Sequence, residues 1–307
     1  MIQAVKGYFL SRKTMSDIVN LSINEKVEIL LDKPKVSIVT AVIRDLSGLE
    51  KTFRSVVMQS YPVEWVVIDA DSGEDHVLFL KNVDMGIHSL VWTSEKDSGL
   101  YDGMNKGFAA SHGEVLLFLN AGDCLRSPET ISDVLNDYEK SAWRWAVALA
   151  VRIGLNGQPR AVWEYLEPEL SGLALGTRTF CHQSTFYTRE LLDKVMPYEV
   201  NNLAADHLLN IRAFKRNTPK MLPFVTTLFQ DGGISSQRPF SAAMKDLRRI
   251  RKEEKLLLAN SYLIDYIVSW VIVGAVNLGG VTYRFMRATS RKWLKEEVRF
   301  TPDMPAK

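Results

Sequence analysis

Cysteine is scarce in this chain: two residues, Cys124 and Cys181, among 307. Two thiols make neither a disulfide framework nor a zinc site, and a reducing cytosol is the simplest setting. No Gly-x-Gly-x-x-Gly follows the first strand-like run, which argues against a nicotinamide enzyme. No Walker A sequence is present, so a P-loop reading lacks its phosphate loop. Excess charge is also missing: the net value is +2, which implies no whole-protein field for nucleic acid, and no nucleic-acid partner is expected. The N-terminus holds no apolar core of signal-peptide length, so secretion is not expected. No Pro/Gly/Ser linker divides the middle of the chain. What is present, 46% hydrophobic and 24% charged residues, suits a globular chain that buries a sizeable core.

Residues 1–34 precede the recognisable domain and read as an extension, with short apolar clusters at Val5–Leu10 and Val27–Leu31. The first strand is expected over Lys35–Ile43, with Val36, Ile38, Val39 and Val42 as its β-branched core. Ser47-Gly-Leu-Glu50 has capping-box form before a helix carrying Leu49, Phe53, Val56 and Val57. Tyr61-Pro62 stops that helix, and Trp65–Ile68 makes a second strand ending at Asp69-Ala-Asp71. Strand, helix and strand with short links imply a right-handed parallel crossover.

The chain is organised around Glu95–Leu125. A helix is expected from Leu100 to Ser111, stopped at His112-Gly113 by a left-handed glycine. Val115–Leu119 are five consecutive apolar residues, as in a strand covered on both faces. That strand delivers Asn120 and Asp123 to its C-terminal end, where open α/β sheets bind ligands. A lone carboxylate there suits one ligand to a hard cation, with substrate phosphates supplying others; without a ligand the same residues are a β-turn. Ser127-Pro128-Glu129 opens another helix, with Pro at its first position. Trp145–Ile153 and Arg160–Tyr165 are paired strands around Gly154–Gly157.

Asp97-x-Gly99-x-Tyr101-Asp102-x-Met104-Asn105-Lys106-Gly107, then Gly113-Glu114, an apolar strand and an acidic turn, resemble the nucleotide-sugar half of a family 2 glycosyltransferase of the bacterial surface-polysaccharide type. The likeness covers about Lys35 to Arg238. It implies the GT-A fold: α/β, a mostly parallel central sheet flanked by helices, here with a helical C-terminal tail. The divisions expected are 1–34, a catalytic domain over 35–240, and a tail over 241–307. The usual Asp-x-Asp turn is altered to Asn120-Ala121-Gly122-Asp123, so only Asp123 keeps a carboxylate as metal ligand, for Mg2+ or Mn2+. The resemblance makes donor-binding candidates of Thr40, Ala41, Asp69, Asp71, Asp97, Gly99, Tyr101, Asp102, Asn105, Lys106, Asn120, Ala121 and Gly122. Phe180-Cys-His182-Gln183 resembles the family's His-Gln segment lining the donor cleft, which adds His182 and Gln183. Leu203-Ala-Ala-Asp206 resembles the segment carrying the general base, Asp206, at a helix start; by position alone Asp206 suits a cap better than a base. Gln230-Asp-Gly-Gly-Ile-Ser-Ser236 resembles a late loop near the cleft.

These roles imply an inverting transfer of sugar from a nucleotide-diphosphate sugar, with UDP the family's prior, to a hydroxyl of a glycan or lipid-linked acceptor. Asp206 takes the proton and Asp123 with its metal neutralises the leaving diphosphate. A non-catalytic nucleotide-sugar-binding or scaffold protein is the alternative. The tail is basic at Lys245–Lys252 and again at Arg284, Arg287, Arg291, Lys292 and Lys295, on either side of the apolar Tyr262–Tyr283. It is expected to lie on the anionic inner membrane surface, with the catalytic domain in the cytoplasm; a packed helix and a true span are the other readings.

Overall fold

A computed structural model describes residues 35–154, 157–163, 168–230 and 240–278. The N-terminal extension, residues 231–239 and the chain beyond 278 lie outside the described residues. Nine described strands form one sheet in the order β3-β2-β1-β4-β8-β6-β9-β5, with β7 paired to β6. They are β1 (Val36–Val42), β2 (Glu64–Asp69), β3 (Ser89–Ser94), β4 (Val115–Phe118), β5 (Cys124–Leu125), β6 (Trp145–Ile153), β7 (Pro159–Trp163), β8 (Thr185–Thr188) and β9 (Lys220–Gln230).

The run β3-β2-β1-β4 is parallel. Every residue of β1, β2 and β4 is buried; β4 is accordingly an unbroken apolar run, whereas β1 and β2 also bury Ser37, Thr40, Glu64 and Asp69, whose side chains are hydrogen-bonded. Beyond β4 the sheet turns mixed: β4–β8 and β8–β6 are antiparallel, and β6–β9 is parallel. Helices α1 (Leu46–Val57), α2 (Glu74–Asn82) and α3 (Leu100–Ala110) connect the parallel strands. After α4 (Thr130–Ser141) come α5 (Leu170–Leu175), a 3-10 turn (His182–Ser184), α6 (Arg189–Val195), α7 (Ala205–Phe214), α8 (Phe240–Glu253) and α9 (Tyr262–Leu278).

Local signals misplace three helix ends. Asp45, not Ser47, caps α1: its Oδ1 accepts from Gly48 N at 2.9 Å, because the helix begins at Leu46 and leaves Ser47 inside the first turn. Glu50 pairs instead with Arg54, at 3.2 Å. Helix α4 starts at Thr130 rather than Pro128, because the Ser127 amide bonds Thr130 Oγ1 at 3.0 Å and the Pro128 carbonyl accepts from Ser60 N. Helix α3 ends at Ala110 in extended backbone at Ser111, with no left-handed Gly113. Gly113 is there for space: a Cβ would stand 2.4 Å from Ser37 N.

Helix α3 lies close on the sheet. A Cβ at Gly107 would meet Val39 Cγ1 at 2.3 Å, so only glycine permits this approach. The division at residue 240 does not mark the edge of a packed unit either. Ile250 of α8 is fully buried in the same cluster as Trp145, Tyr187 and Leu208. Glu254 closes the junction by ion pairs with Arg212 at 2.9 Å and Lys215 at 2.8 Å.

Candidate active site

The C-terminal ends of β1, β2 and β4 converge where the chain leaves β4. The turn after it is held from beneath by Thr52 of α1, whose Oγ1 donates to Asp123 O at 2.8 Å and accepts from Gly122 N at 3.0 Å. Gly122 has φ +93°, a conformation that L side chains rarely adopt, so the turn needs glycine there. Thr52 was not among the sequence candidates, yet a signal exists: it is a polar residue on the helix stripe of Leu49 and Val56, and it is fully buried.

Asp123 is 5% exposed. Its Oδ1 accepts from the Gln230 amide at 3.1 Å and its Oδ2 from Gln183 Nε2 at 3.2 Å. Burial pushes the carboxyl up to about 6, although the Gln230 amide, the charge of His182, the Gln183 bond and Lys51 all pull it down.

The 3-10 turn that supplies Gln183 also supplies His182. His182 Nδ1 lies 3.3 Å from Asp206 Oδ2, and its Nε2 lies 3.2 Å from Asn120 Nδ2. Tyr101 OH donates to Asp206 Oδ1 at 3.1 Å. Asp206 is the second residue of α7, and the residue that caps that helix, Ala204, makes no side-chain cap bond. The Asp206 carboxylate is therefore turned to Tyr101 and His182. Burial pushes it up, but the hydrogen bond and charge of His182, with the field and amide of His207, outweigh that and hold it at about 2. Its side chain is 25% exposed, so solvent still reaches it.

Tyr101, Asn120, Asp123, His182, Gln183 and Asp206 thus form one connected polar group, joined across residues 182 and 183. Ala121 and Gly122 lie in its turn, and the remaining candidates make contacts elsewhere. Thr40 is fully buried and its hydroxyl is engaged twice, donating to Leu119 O at 2.7 Å and accepting from Trp65 Nε1 at 3.0 Å. Ala41 is core, where a Cβ on Gly103 of α3 would approach it to 3.0 Å. Asn105 clamps the Tyr198 backbone, donating to its carbonyl at 2.9 Å and accepting from its amide at 2.8 Å. Lys106 pairs with Glu95 at 2.9 Å, and that hydrogen bond raises its pKa. Asp97 and Asp102 accept from the Gly99 and Ser98 amides and so order the loop before α3. Asp71 is exposed, Ala121 half-buried. Asp69 closes β2, fully buried; Oδ2 binds Ser94 and Ser72, while Oδ1 has no partner.

Among the described residues no group of three or more His, Cys, Asp or Glu could hold a metal. The donors still fit a cation that takes most of its ligands from substrate. Asp123 is a buried carboxylate whose charge burial disfavours, and Asn120 Oδ1 is a buried oxygen without a partner. Both are hard oxygen donors.

Residues 37–195 match the family model described as Glycosyl transferase family 2. An uncharacterized glycosyltransferase of Mycobacterium tuberculosis (strain CDC 1551 / Oshkosh) is 31% identical over 223 residues, covering 71% of this chain and 83% of that one. A PGL/p-HBAD biosynthesis glycosyltransferase of Mycobacterium bovis (strain BCG / Pasteur 1173P2) is 27% identical over 226 residues, 66% of this chain and 80% of that one. Among solved structures, S. aureus TarS 1-349 in complex with UDP-GlcNAc superposes with a TM-score of 0.57 at 18% identity, over 71% of this chain and 66% of that one. At that identity the likeness shows the GT-A fold. This chain spans about two thirds of that solved chain.

Proposed function

The chain belongs to glycosyl transferase family 2, and from that premise we propose that it moves a sugar from a nucleotide-diphosphate sugar to an acceptor hydroxyl, with inversion. UDP is the nucleotide we assign, and a glycan or lipid-linked saccharide of surface-polysaccharide assembly the acceptor. The observation that carries this reading is the pair His182–Gln183. Adjacent residues hold the carboxylate of Asp206 on one side and that of Asp123 on the other. On this reading the base and the ligand of the diphosphate are held by neighbouring residues, which supports a single displacement.

Asp206 is the general base. His182 and His207 keep it ionised while Tyr101 hydrogen-bonds its other oxygen, and as a carboxylate held at about 2 it is weakly basic at rest. An acceptor hydroxyl that takes the place of one of these hydrogen bonds meets a more basic oxygen, because burial then acts with less opposition. Asp123, with Asn120 Oδ1, would hold Mg2+ or Mn2+, which supplies Lewis-acid stabilisation of the leaving diphosphate. Asp69, at the end of β2 with one unpartnered oxygen, is the residue we assign to the nucleoside.

The test is thermal stabilisation by a panel of nucleotide-sugars with Mn2+, followed by transfer assays with the donors that stabilise. A ligand at 100 times its dissociation constant adds about 2.7 kcal/mol. Stabilisation followed by nucleotide release, lost in Asp206→Asn, is the expected result. Stabilisation without turnover on any acceptor or water would make the chain a nucleotide-sugar-binding scaffold.

A further inference from the structure

Helix α9 is turned inside out. Its polar residues Asp265 and Ser269 are 0% and 1% exposed, whereas Leu263, Ile267, Trp270 and Val271 are 66%, 52%, 52% and 63% exposed. Asp265, Ser269 and Val273 stand one turn apart on a single inward stripe. Arg251 of α8, itself fully buried, satisfies that stripe. Its Nε donates to Asp265 Oδ1 at 2.7 Å, and its Nη2 to Asp265 Oδ2 at 2.9 Å and Ser269 Oγ at 2.6 Å. Its Nη1 donates to Ala174 O at 2.7 Å, which ties the pair to α5.

The only charge on α9 is thus neutralised inside the protein, and no other residue from Tyr262 to Leu278 is charged. Water selects the opposite arrangement, polar groups outward and apolar groups inward. Apolar groups outward with polar groups satisfied internally is what a hydrocarbon environment selects. Yet no described helix is long and apolar enough to cross a membrane. The face suits an environment met along its length.

Charge identifies that environment. Arg248 of α8, half-buried and with its Nε 3.8 Å from Asp265 Oδ2, lies with its guanidinium 4.3 Å from the ring centre of Tyr266 and 5.2 Å from that of Tyr262. Lys252, one turn on and exposed, sits 5.9 Å over Tyr262. The apolar strip is therefore bordered by aromatic rings carrying cations, a pattern that matches the boundary between headgroups and acyl chains. A second copy of the chain carries the same cationic border, which disfavours pairing of like faces. The sequence after α9 adds Arg284, Arg287, Arg291, Lys292 and Lys295.

We propose that the outward face of α9, with the Arg248–Lys252 edge of α8, docks the folded body on the surface of an anionic lipid bilayer. The inference is independent of the donor and base assignments. It gives the sequence-level expectation of a membrane-facing tail a specific surface, built on a helix locked to the catalytic body through Arg251.

The test is cosedimentation of the full chain with vesicles of phosphatidylcholine alone or mixed with phosphatidylglycerol. Thermal unfolding and light scattering without vesicles accompany it. The wild type should partition onto the mixed vesicles and far less onto phosphatidylcholine. Ile267→Ser with Val271→Ser should lower partitioning about tenfold or more, with melting unchanged. Lys252→Glu should lower it about fivefold or more and reduce its salt sensitivity. Wild-type protein remaining in the supernatant overturns the proposal, as does equal binding to both vesicles or unaltered binding by the Ser variant. A dimer that the Ser variant dissociates would assign the face to a second copy. A lower melting temperature in that variant would mean that the face is covered by this chain itself. Either result overturns the proposal, and neither bears on sugar transfer.

Discussion

Replacing His182 by Ala removes the hydrogen bond and charge that hold Asp206 down and leaves burial, which pushes it up. Because His207 still opposes burial, the carboxyl should then rise from about 2 toward its ordinary value of 3.8. At 1.36 kcal/mol per unit, the difference is up to about 2.5 kcal/mol, an upper bound because a quarter of the side chain meets solvent. The sign follows from linkage. A carboxyl depressed in the folded state contributes stability above its unfolded value, and that contribution is lost as pH falls through the folded value. His182→Ala should therefore lose on the order of 1–2 kcal/mol at pH 7, and this difference should shrink between about pH 4 and pH 2. In kinetics, the acid limb of kcat/KM reports the free enzyme's base, so it should move upward by up to about two pH units. Tyr101→Phe, which frees the other oxygen, should move it the same way by less. Stopped-assay rates from pH 2 to 7, with denaturation curves at the two pH extremes, supply both readouts. An acid limb that stays in place in His182→Ala would show that His182 does not set the state of Asp206.

Three further perturbations probe the rest of the structure. Asp123→Asn should abolish metal-dependent transfer yet stabilise the fold at pH 8 by about 1–2 kcal/mol, because a carboxyl raised to about 6 loses stability as pH rises through that value; a lower melting temperature at pH 8, or a gain that persists at pH 4, would refute this. Gly113→Ala sets a Cβ 2.4 Å from backbone that cannot move cheaply, so it should cost about 3 kcal/mol in denaturant titration, and a loss below about 1 kcal/mol would mean that β1 yields. Asp265→Ala strands the buried Arg251 and should cost about 3–5 kcal/mol, whereas Arg251→Met with Asp265→Leu should cost much less; equal losses would contradict the pairing.

Much of the fold is legible in the residues because the informative strands are buried on both faces. Val115–Phe118 announces itself as an apolar run, and Val36–Val42 as a β-branched strand; the first ends at Asn120 and Asp123, which have no packing reason to be amidic or acidic. Asp123, His182, Gln183 and Asp206 do meet. The candidates from the segment Asp97–Lys106, Tyr101 apart, make other contacts within the protein instead. Asn105 is a clamp across 93 residues, and no local pattern announces a contact so distant. Thr40 is a strand residue whose hydroxyl finds Trp65, one strand away. Asp45 outcompetes Ser47 as a cap through a start point only two residues different. The tail shows the same limit from another side. Its apolar character is plain in the sequence, but that Asp265 and Ser269 point inward follows from Arg251, which reads as one more member of a basic run.

The most direct measurement is single-turnover transfer by Asp206→Asn beside the wild type, with donor affinity measured on the same samples. The amide keeps the shape and can still bond Tyr101 and His182, but it cannot take a proton. Donor affinity within a few-fold of wild type and transfer slower by about 10²–10⁴ is the result the account predicts. Transfer at a near-normal rate by this variant would contradict Asp206 as the base, and with it the single displacement built on the His182–Gln183 pair.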